Sequence, residues 1–263
     1  MKLSERDSWE LPEFEKNEFS LKRNKYCICV FVINEGDIFQ KQLNNMKYLS
    51  EHIDIVVADG GSDDGSTSHE ILKSYRVNTL LTKTSYGGLG SQMRMAFSWA
   101  LKRGYEGVVV IDGNGKDSLE DIPNFITKLN EGYDHIQGSR FIPGGHHENT
   151  PLFRLIGLKF IHVPLIRLAS GFKYTDTTNG FRAYSSKLLV DSHISIFRKI
   201  FDGYELHYYL SVKAVKKGFK CIEIPVARRY PATGKIPTKI SPIKGSFEVL
   251  KKLFFVVGNK YDR

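Results

Sequence analysis

"IDIVVADGGSDDGS", residues 53–66, sets a short apolar run rich in β-branched residues directly against an aspartate, two glycines and a serine–aspartate cluster. A run of that composition over 53–59, closed by Gly and Asp, predicts a strand buried on both faces that ends in a loop. The pattern returns three times, in KYCICVFVI (25–33), VNTLL (77–81) and GVVVID (107–112). Between and after these runs, 37–50, 66–75, 88–103 and 119–130 carry apolar residues at three- and four-residue spacing and predict helices. Strand and helix alternating at this pitch predict an α/β fold, a mainly parallel sheet flanked by helices on both faces. Sheets of this kind bind ligands beyond the carboxyl ends of their strands, which directs attention to the loops that follow them. The second half is less regular, with helices predicted at 151–170, 204–217 and 244–256 and a strand at 219–226.

Hydrophobic residues make up 41% of the 263, enough to bury the core of one large domain or two small ones. No run of eighteen apolar residues occurs, and the charged start MKLSERDSWELPEFEKNEF is unlike a signal peptide, so the chain is expected in the cytosol. Cys27, Cys29 and Cys221 lack zinc or redox spacing and read as core thiols. A formal charge of +9 favours an anionic partner, whether nucleic acid, a phosphorylated ligand or a membrane surface. Residues 1–24 are polar and are expected to be partly disordered or to wrap the surface.

The strand ends carry the chemistry. Asn34 and Glu35 follow the first strand in INEGD, and Asp59 closes the second. A carboxylate there can accept hydrogen bonds from a base N–H or a ribose hydroxyl, while Gly60 and Gly61 let the backbone approach a ligand closely. Alternatively, DGGSDDGS is a turn followed by a helix cap at Ser66. SYGGLG (85–90) precedes a helix and could receive a phosphate or ribose, although it has neither the lysine of a P-loop nor a full dinucleotide fingerprint.

Six stretches, INE, VVADGGSDDGS, IDGNGKDSLEDIP, GSRFIPGG, TDTTNGFRAYS and CIEIPVARRY, occur in the order and at the intervals of family 2 glycosyltransferases. Over about 26–240 the chain most resembles the dolichyl-phosphate mannose synthase branch. The resemblance implies a glycosyltransferase A fold, a nucleoside-diphosphate-sugar donor and inversion at the anomeric carbon. It puts the catalytic domain at 25–240, after the polar extension and before an amphipathic helical tail at 241–263. It places Asn34, Glu35, Asp59 and Gly61 at the nucleotide, and makes Asp112 the start of the Asp-x-Asp motif that holds a divalent metal on the diphosphate. Here that motif reads Asp112-Gly113-Asn114, with Lys116 two residues further on. The implied cofactor is a weakly held Mg2+ or Mn2+ on Asp112 and Asn114, with Lys116 helping to neutralise the leaving diphosphate. Arg228 or Arg229 is implied at the same diphosphate, with Lys235 and Lys239 as weaker candidates.

On the acceptor side the resemblance implicates Arg140, Arg154, Asp176, Arg182 and Glu205, with Asp176 as acceptor ligand or proton acceptor. Guanidinium groups suit a lipid phosphate, because they grip its oxygens bidentately and stay charged. A phosphate acceptor needs no strong base, whereas a hydroxyl acceptor requires a carboxylate. PLFRLIGLKFIHVPLIRL mixes apolar residues with Arg154, Lys159, His162 and Arg167, which suits a helix lying in a membrane interface and equally a helix packed on a core. The implied partners are a nucleotide-sugar, a polyprenyl phosphate or related glycan precursor and a peripheral membrane contact, with no nucleic acid. A non-catalytic nucleotide-sugar binder and a sugar-phosphate nucleotidyltransferase are the other classes compatible with the sequence.

Overall fold

The computed structural model describes residues 8–232 and 244–262. In chain order the first elements are β1 (Phe14–Glu18), β2 (Tyr26–Val32), α1 (Gly36–Met46), β3 (Asp54–Asp59), α2 (His69–Ser74), β4 (Thr79–Lys83), α3 (Leu89–Lys102) and β5 (Gly107–Asp112). There follow α4 (Ile122–Asn130), β6 (His135–Ser139), β7 (His146–Glu148), α5 (Leu152–Gly157), α6 (Val163–Ser170), β8 (Arg182–Ser185) and α7 (Ser186–Leu189). The last are α8 (Glu205–Lys216), β9 (Cys221–Pro225), β10 (Ala227–Arg229) and α9 (Lys244–Val257). Two compact units share them: Met1–Gly115 with Ala183–Gly203, and Lys116–Arg182 with Tyr204–Arg263.

In the first unit the strands run in the order β1-β4-β3-β2-β5, and all pairs except β1 with β4 are parallel. Every residue of β2 and β3 is buried, as expected of strands covered on both faces. Helix α3 is buried continuously from Gly90 to Leu101, so it lies inside the unit rather than on its surface. Helix α1 ends at Met46 and continues as one tighter turn, Lys47–Glu51. Residues 14–18, expected to be disordered or to wrap the surface, form an antiparallel edge strand with Phe14 opposite Lys83 and Glu18 opposite Thr79. FEKNE has no apolar alternation to announce a strand, but its charges suit an edge that must not recruit another chain.

In the second unit β6 pairs in parallel with β9, and β7 with β10. Phe125 of α4 stacks on Phe181 at 4.2 Å within its core. The single helix predicted over 151–170 is three pieces, α5, a π-helical turn Leu158–His162, and α6. Pro164 has no N–H to give the Phe160 carbonyl four residues back, and a wider turn accommodates the loss. Leu152, Phe153, Ile156, Phe160 and Leu168 of this segment face solvent. Among the described residues no helix is long and apolar enough to cross a membrane.

Candidate active site

In the first unit, the loops after β2 and β3 are knitted to each other. Asn34, in the left-handed region at φ 47°, donates its amide to Ser62 Oγ at 3.0 Å and accepts from the Asp63 amide at 2.9 Å. The Gly36 amide donates to Asp64 Oδ2 at 2.8 Å. Burial pushes the Asp64 carboxyl up, but donors from Ser66 and Gly36 outweigh it and hold it below the usual carboxylate value. Ser66 binds Asp64 through its hydroxyl, and α2 starts only at His69, so the helix cap expected at Ser66 is a turn. Asp59 is buried, and Oδ1 accepts from the amides of Gly61 and Ser62 and from the Ser62 hydroxyl at 2.6 Å. Its first task is to shape the loop.

Two buried glutamines, which no sequence motif marked, pin these strand ends. Gln92 of α3 donates to the carbonyls of Val32 and Ala58, both at 3.1 Å. Gln42 of α1 donates to the Asp112 carbonyl at 2.9 Å and accepts from the Gly115 amide at 2.7 Å. Within the loop so held, Asn114 Nδ2 donates to Asp112 Oδ2 at 3.4 Å, and Asn114 Oδ1 is buried with no hydrogen-bond partner. A carboxylate and an amide oxygen are ligand types that fit a hard cation keeping water and phosphate oxygens as its remaining ligands, and a turn of the Asn114 amide would exchange its N–H group for Oδ1 beside Asp112. No group of three His, Cys, Asp or Glu side chains suited to a metal occurs among the described residues. The SYGGLG loop, considered as a phosphate or ribose site, packs instead on Asp202, which accepts from the Gly88 amide at 3.2 Å and the Ser91 hydroxyl at 2.6 Å. Glycine is needed there for closeness: a Cβ on Gly90 would stand 2.6 Å from the Phe201 carbonyl oxygen.

In the second unit, Lys116, Arg140, Arg154 and Arg228 gather about Tyr230. The Lys116 ammonium lies 5.3 Å from the centre of the Tyr230 ring, Arg154 5.8 Å and Arg228 6.0 Å, and the Tyr230 hydroxyl is 3.4 Å from Arg154. Burial pushes the Tyr230 phenol up, yet the charges of Arg228, Arg140 and Lys116 and the Arg154 hydrogen bond together draw it below its ordinary value. Asp176 grips Arg140 bidentately at 2.6 and 3.0 Å, and Asp117 pairs with Arg228, which also reaches Asn179 Oδ1 at 3.3 Å. Guanidinium and ammonium groups gathered in this way suit an anion.

Other assignments are redrawn by burial and pairing. Arg229, implied at the diphosphate, is exposed and pairs with Glu148 at 3.3 Å and Glu120 at 3.5 Å; the buried arginine of the pair is Arg228. Burial raises the Asp176 carboxyl, but the charge and hydrogen bonds of Arg140 prevail and lower it, which makes Asp176 a poor proton acceptor and a good orienting partner. Arg182, implied at the acceptor, is buried and donates to the carbonyls of Asn179, His207 and Thr177 and to Ser211 Oγ, all at 2.9 Å. It clamps the 176–182 segment to α8 instead of facing a ligand. Glu205 is buried and pairs with Lys252 at 2.8 Å, joining α8 to α9. Lys235 and Lys239 lie outside the described residues. Tyr230, Asp117, Gln42 and Gln92 are the site residues that the sequence did not single out. Asp117 and Tyr230 had a signal, their places in IDGNGKDSLEDIP and CIEIPVARRY, whereas the glutamines had none.

A family model described as Glycosyl transferase family 2 matches residues 27–201. The polyprenol monophosphomannose synthase of Mycolicibacterium smegmatis is 29% identical over 197 residues, covering 73% of each chain. The undecaprenyl-phosphate mannosyltransferase of Micrococcus luteus is 26% identical over 195 residues, 73% of this chain and 79% of that one. Among solved structures, glucosyl-3-phosphoglycerate synthase from Mycobacterium tuberculosis, in complex with Mn2+, UDP and glucosyl-3-phosphoglycerate, matches with a TM-score of 0.63 at 14% identity, over 89% of this chain and 80% of that chain.

Proposed function

Because the chain belongs to glycosyl transferase family 2 and has the glycosyltransferase A fold, we propose that it transfers a sugar from a nucleoside diphosphate to a polyprenyl phosphate. One observation carries the acceptor class. Helix α5 presents Arg154 to Tyr230 in the cation cluster and, on the same short helix, exposes Leu152, Phe153 and Ile156. An anion receptor beside exposed apolar side chains suits a phosphate attached to a hydrocarbon chain. The names of the mycobacterial and micrococcal relatives point to the same acceptor class.

In this reading an oxygen of the acceptor phosphate attacks the anomeric carbon. The bond from that carbon to the nucleoside diphosphate breaks, and the configuration inverts. The attacking oxygen is already ionised, so no general base is needed, in keeping with an Asp176 held in its charged form by Arg140. Asn34, Glu35 and the loop shaped by Asp59 and Gly61 serve the nucleotide. Asp112 and Asn114 would hold Mg2+ or Mn2+, an ion that supplies positive charge to the departing diphosphate. The family resemblance puts Lys116 and Arg228 at the same diphosphate, where fixed cations would stabilise charge that grows in the transition state. Leu152, Phe153, Ile156, Phe160 and Leu168 make the peripheral membrane contact.

The test is incubation with labelled UDP-, GDP- and CDP-sugars, each with a polyprenyl phosphate or the corresponding free polyprenol. Labelled lipid is expected from the phosphate alone. Absence of labelled lipid with every donor, or equal labelling of the alcohol, would overturn the proposal.

A further inference from the structure

Gln42 is 5% exposed on α1 and makes two hydrogen bonds to one loop, giving Nε2 to the Asp112 carbonyl at 2.9 Å and taking the Gly115 amide on Oε1 at 2.7 Å. A side-chain amide used in this way does for the loop what a neighbouring strand does for β5. It meets one outgoing carbonyl and one returning N–H three residues later. The loop between has little freedom of its own. The Gly113 amide donates to the Phe31 carbonyl at 2.8 Å, and a Cβ on Gly113 would come within 3.1 Å of that oxygen, of Phe39 and of Val32. Gly115 turns the chain back at φ 69°, a left-handed angle that favours glycine. Between these fixed ends stand the Asp112 carboxylate and the buried, unpartnered Oδ1 of Asn114.

We propose that Gln42 is a positioning residue for the diphosphate side of the donor site. It fixes the main chain at both ends of Asp112–Gly115 so that Asp112 and Asn114 stay side by side, where the carboxylate and, once the amide turns, Asn114 Oδ1 can meet a divalent cation. The inference rests on reading this loop as the cation site. Only an uncharged donor–acceptor group of this length satisfies both ends. A carboxylate would face the Asp112 carbonyl oxygen, asparagine is one methylene short, and apolar chains meet neither group. Residues that orient metal ligands without touching the ion typically contribute about 10–100-fold to metal affinity.

The experiment uses the full chain and Mn2+ as probe, with free Mn2+ followed by electron paramagnetic resonance in the presence of inorganic pyrophosphate. Wild type is compared with Gln42→Met, Gln42→Leu and Asp112→Ala. Both Gln42 variants place an apolar chain beside Phe39, Leu43 and Met46, which are buried on the same helix, so at least one should remain folded by its melting curve. Weakening of Mn2+ binding by about tenfold or more is expected in the folded Gln42 variants. Amide exchange at Gly115 should also quicken, and added Mg2+ should restore turnover. If Asp112→Ala loses Mn2+ while a folded Gln42 variant binds within twofold of wild type and keeps Gly115 protected, the proposal fails and the reading of the loop stands. If Asp112→Ala binds Mn2+ as wild type does, the reading of the loop fails, and the role given to Gln42 fails with it.

Discussion

Replacing Tyr230 separates two contributions to the cation cluster. Tyr230→Phe keeps the ring but removes a hydroxyl 3.4 Å from Arg154, a long bond worth about 0.5 kcal/mol. Tyr230→Leu also removes the π face that Lys116, Arg154 and Arg228 approach at 5.3, 5.8 and 6.0 Å. Each such contact is worth about 0.5–2 kcal/mol, and because the cations repel one another the set should contribute about 1–3 kcal/mol. Without the ring the three side chains spread, and an arriving anion must regather them. Titration calorimetry with inorganic pyrophosphate should show about a tenfold loss of affinity for Tyr230→Leu, equivalent to about 1.4 kcal/mol, and less than about threefold for Tyr230→Phe. The phenol offers an independent reading. Tyr105, Tyr208 and Tyr261 are raised by burial, whereas Tyr230 is lowered, so the wild type should contain a tyrosine that ionises below the ordinary value and Tyr230→Phe should lack it. Pyrophosphate, by adding negative charge beside the phenol, should delay that ionisation. A folded Tyr230→Leu protein with wild-type affinity, or a Tyr230→Phe protein that keeps the early phenolate, would refute the argument.

Four further outcomes are expected. Asp176→Asn leaves the Arg140 guanidinium buried without its counter-charge and should lower stability by about 3–5 kcal/mol in urea unfolding; a loss under 1 kcal/mol would mean that the pair is not desolvated. Lys116→Gln should lower turnover and steepen the dependence on added magnesium, while Asp112→Asn should nearly abolish transfer; wild-type rates in either would remove that residue from the diphosphate. His135 and His162 are pushed down to about 3 by burial and by the charge of Arg182, and His207 is lowered by the same causes. The unfolded chain therefore binds protons first, so stability should be full above about pH 6.5 and fall as pH drops toward 3, by up to about 1.4 kcal/mol per pH unit for each histidine; a flat melting profile between pH 6.5 and 5 would contradict this burial. The chain should sediment with anionic liposomes at low salt and detach as salt screens its basic groups over roughly 8–10 Å, and Phe153→Asp with Phe160→Asp should release it; equal recovery in the supernatant with and without liposomes would end the membrane assignment.

The sequence by itself determined the first unit's parallel strands and the loops at their ends. β-Branched apolar runs closed by Gly and Asp are local signals, and predicted limits of 25–33, 53–59 and 107–112 became Tyr26–Val32, Asp54–Asp59 and Gly107–Asp112. Motif order was also enough to bring out the family. Only the tertiary structure decided which charges do what. Arg228 and Arg229 are equivalent as letters, but in β10, where Arg228 lies opposite His147 and Arg229 opposite Glu148, successive side chains take opposite faces. One arginine therefore enters the cation cluster and the other meets two glutamates in solvent. Asp176 and Arg182 look like ligand contacts in sequence, yet one is held by Arg140 and the other by main-chain carbonyls brought together from α8 and the 176–182 segment. Gln42 lies in no motif and Tyr230 closes CIEIPVARRY without standing out in it, because a neutral amide or a phenol gains its role only from partners distant in sequence. Those partners are fixed by packing, and packing is not written in any local run of residues.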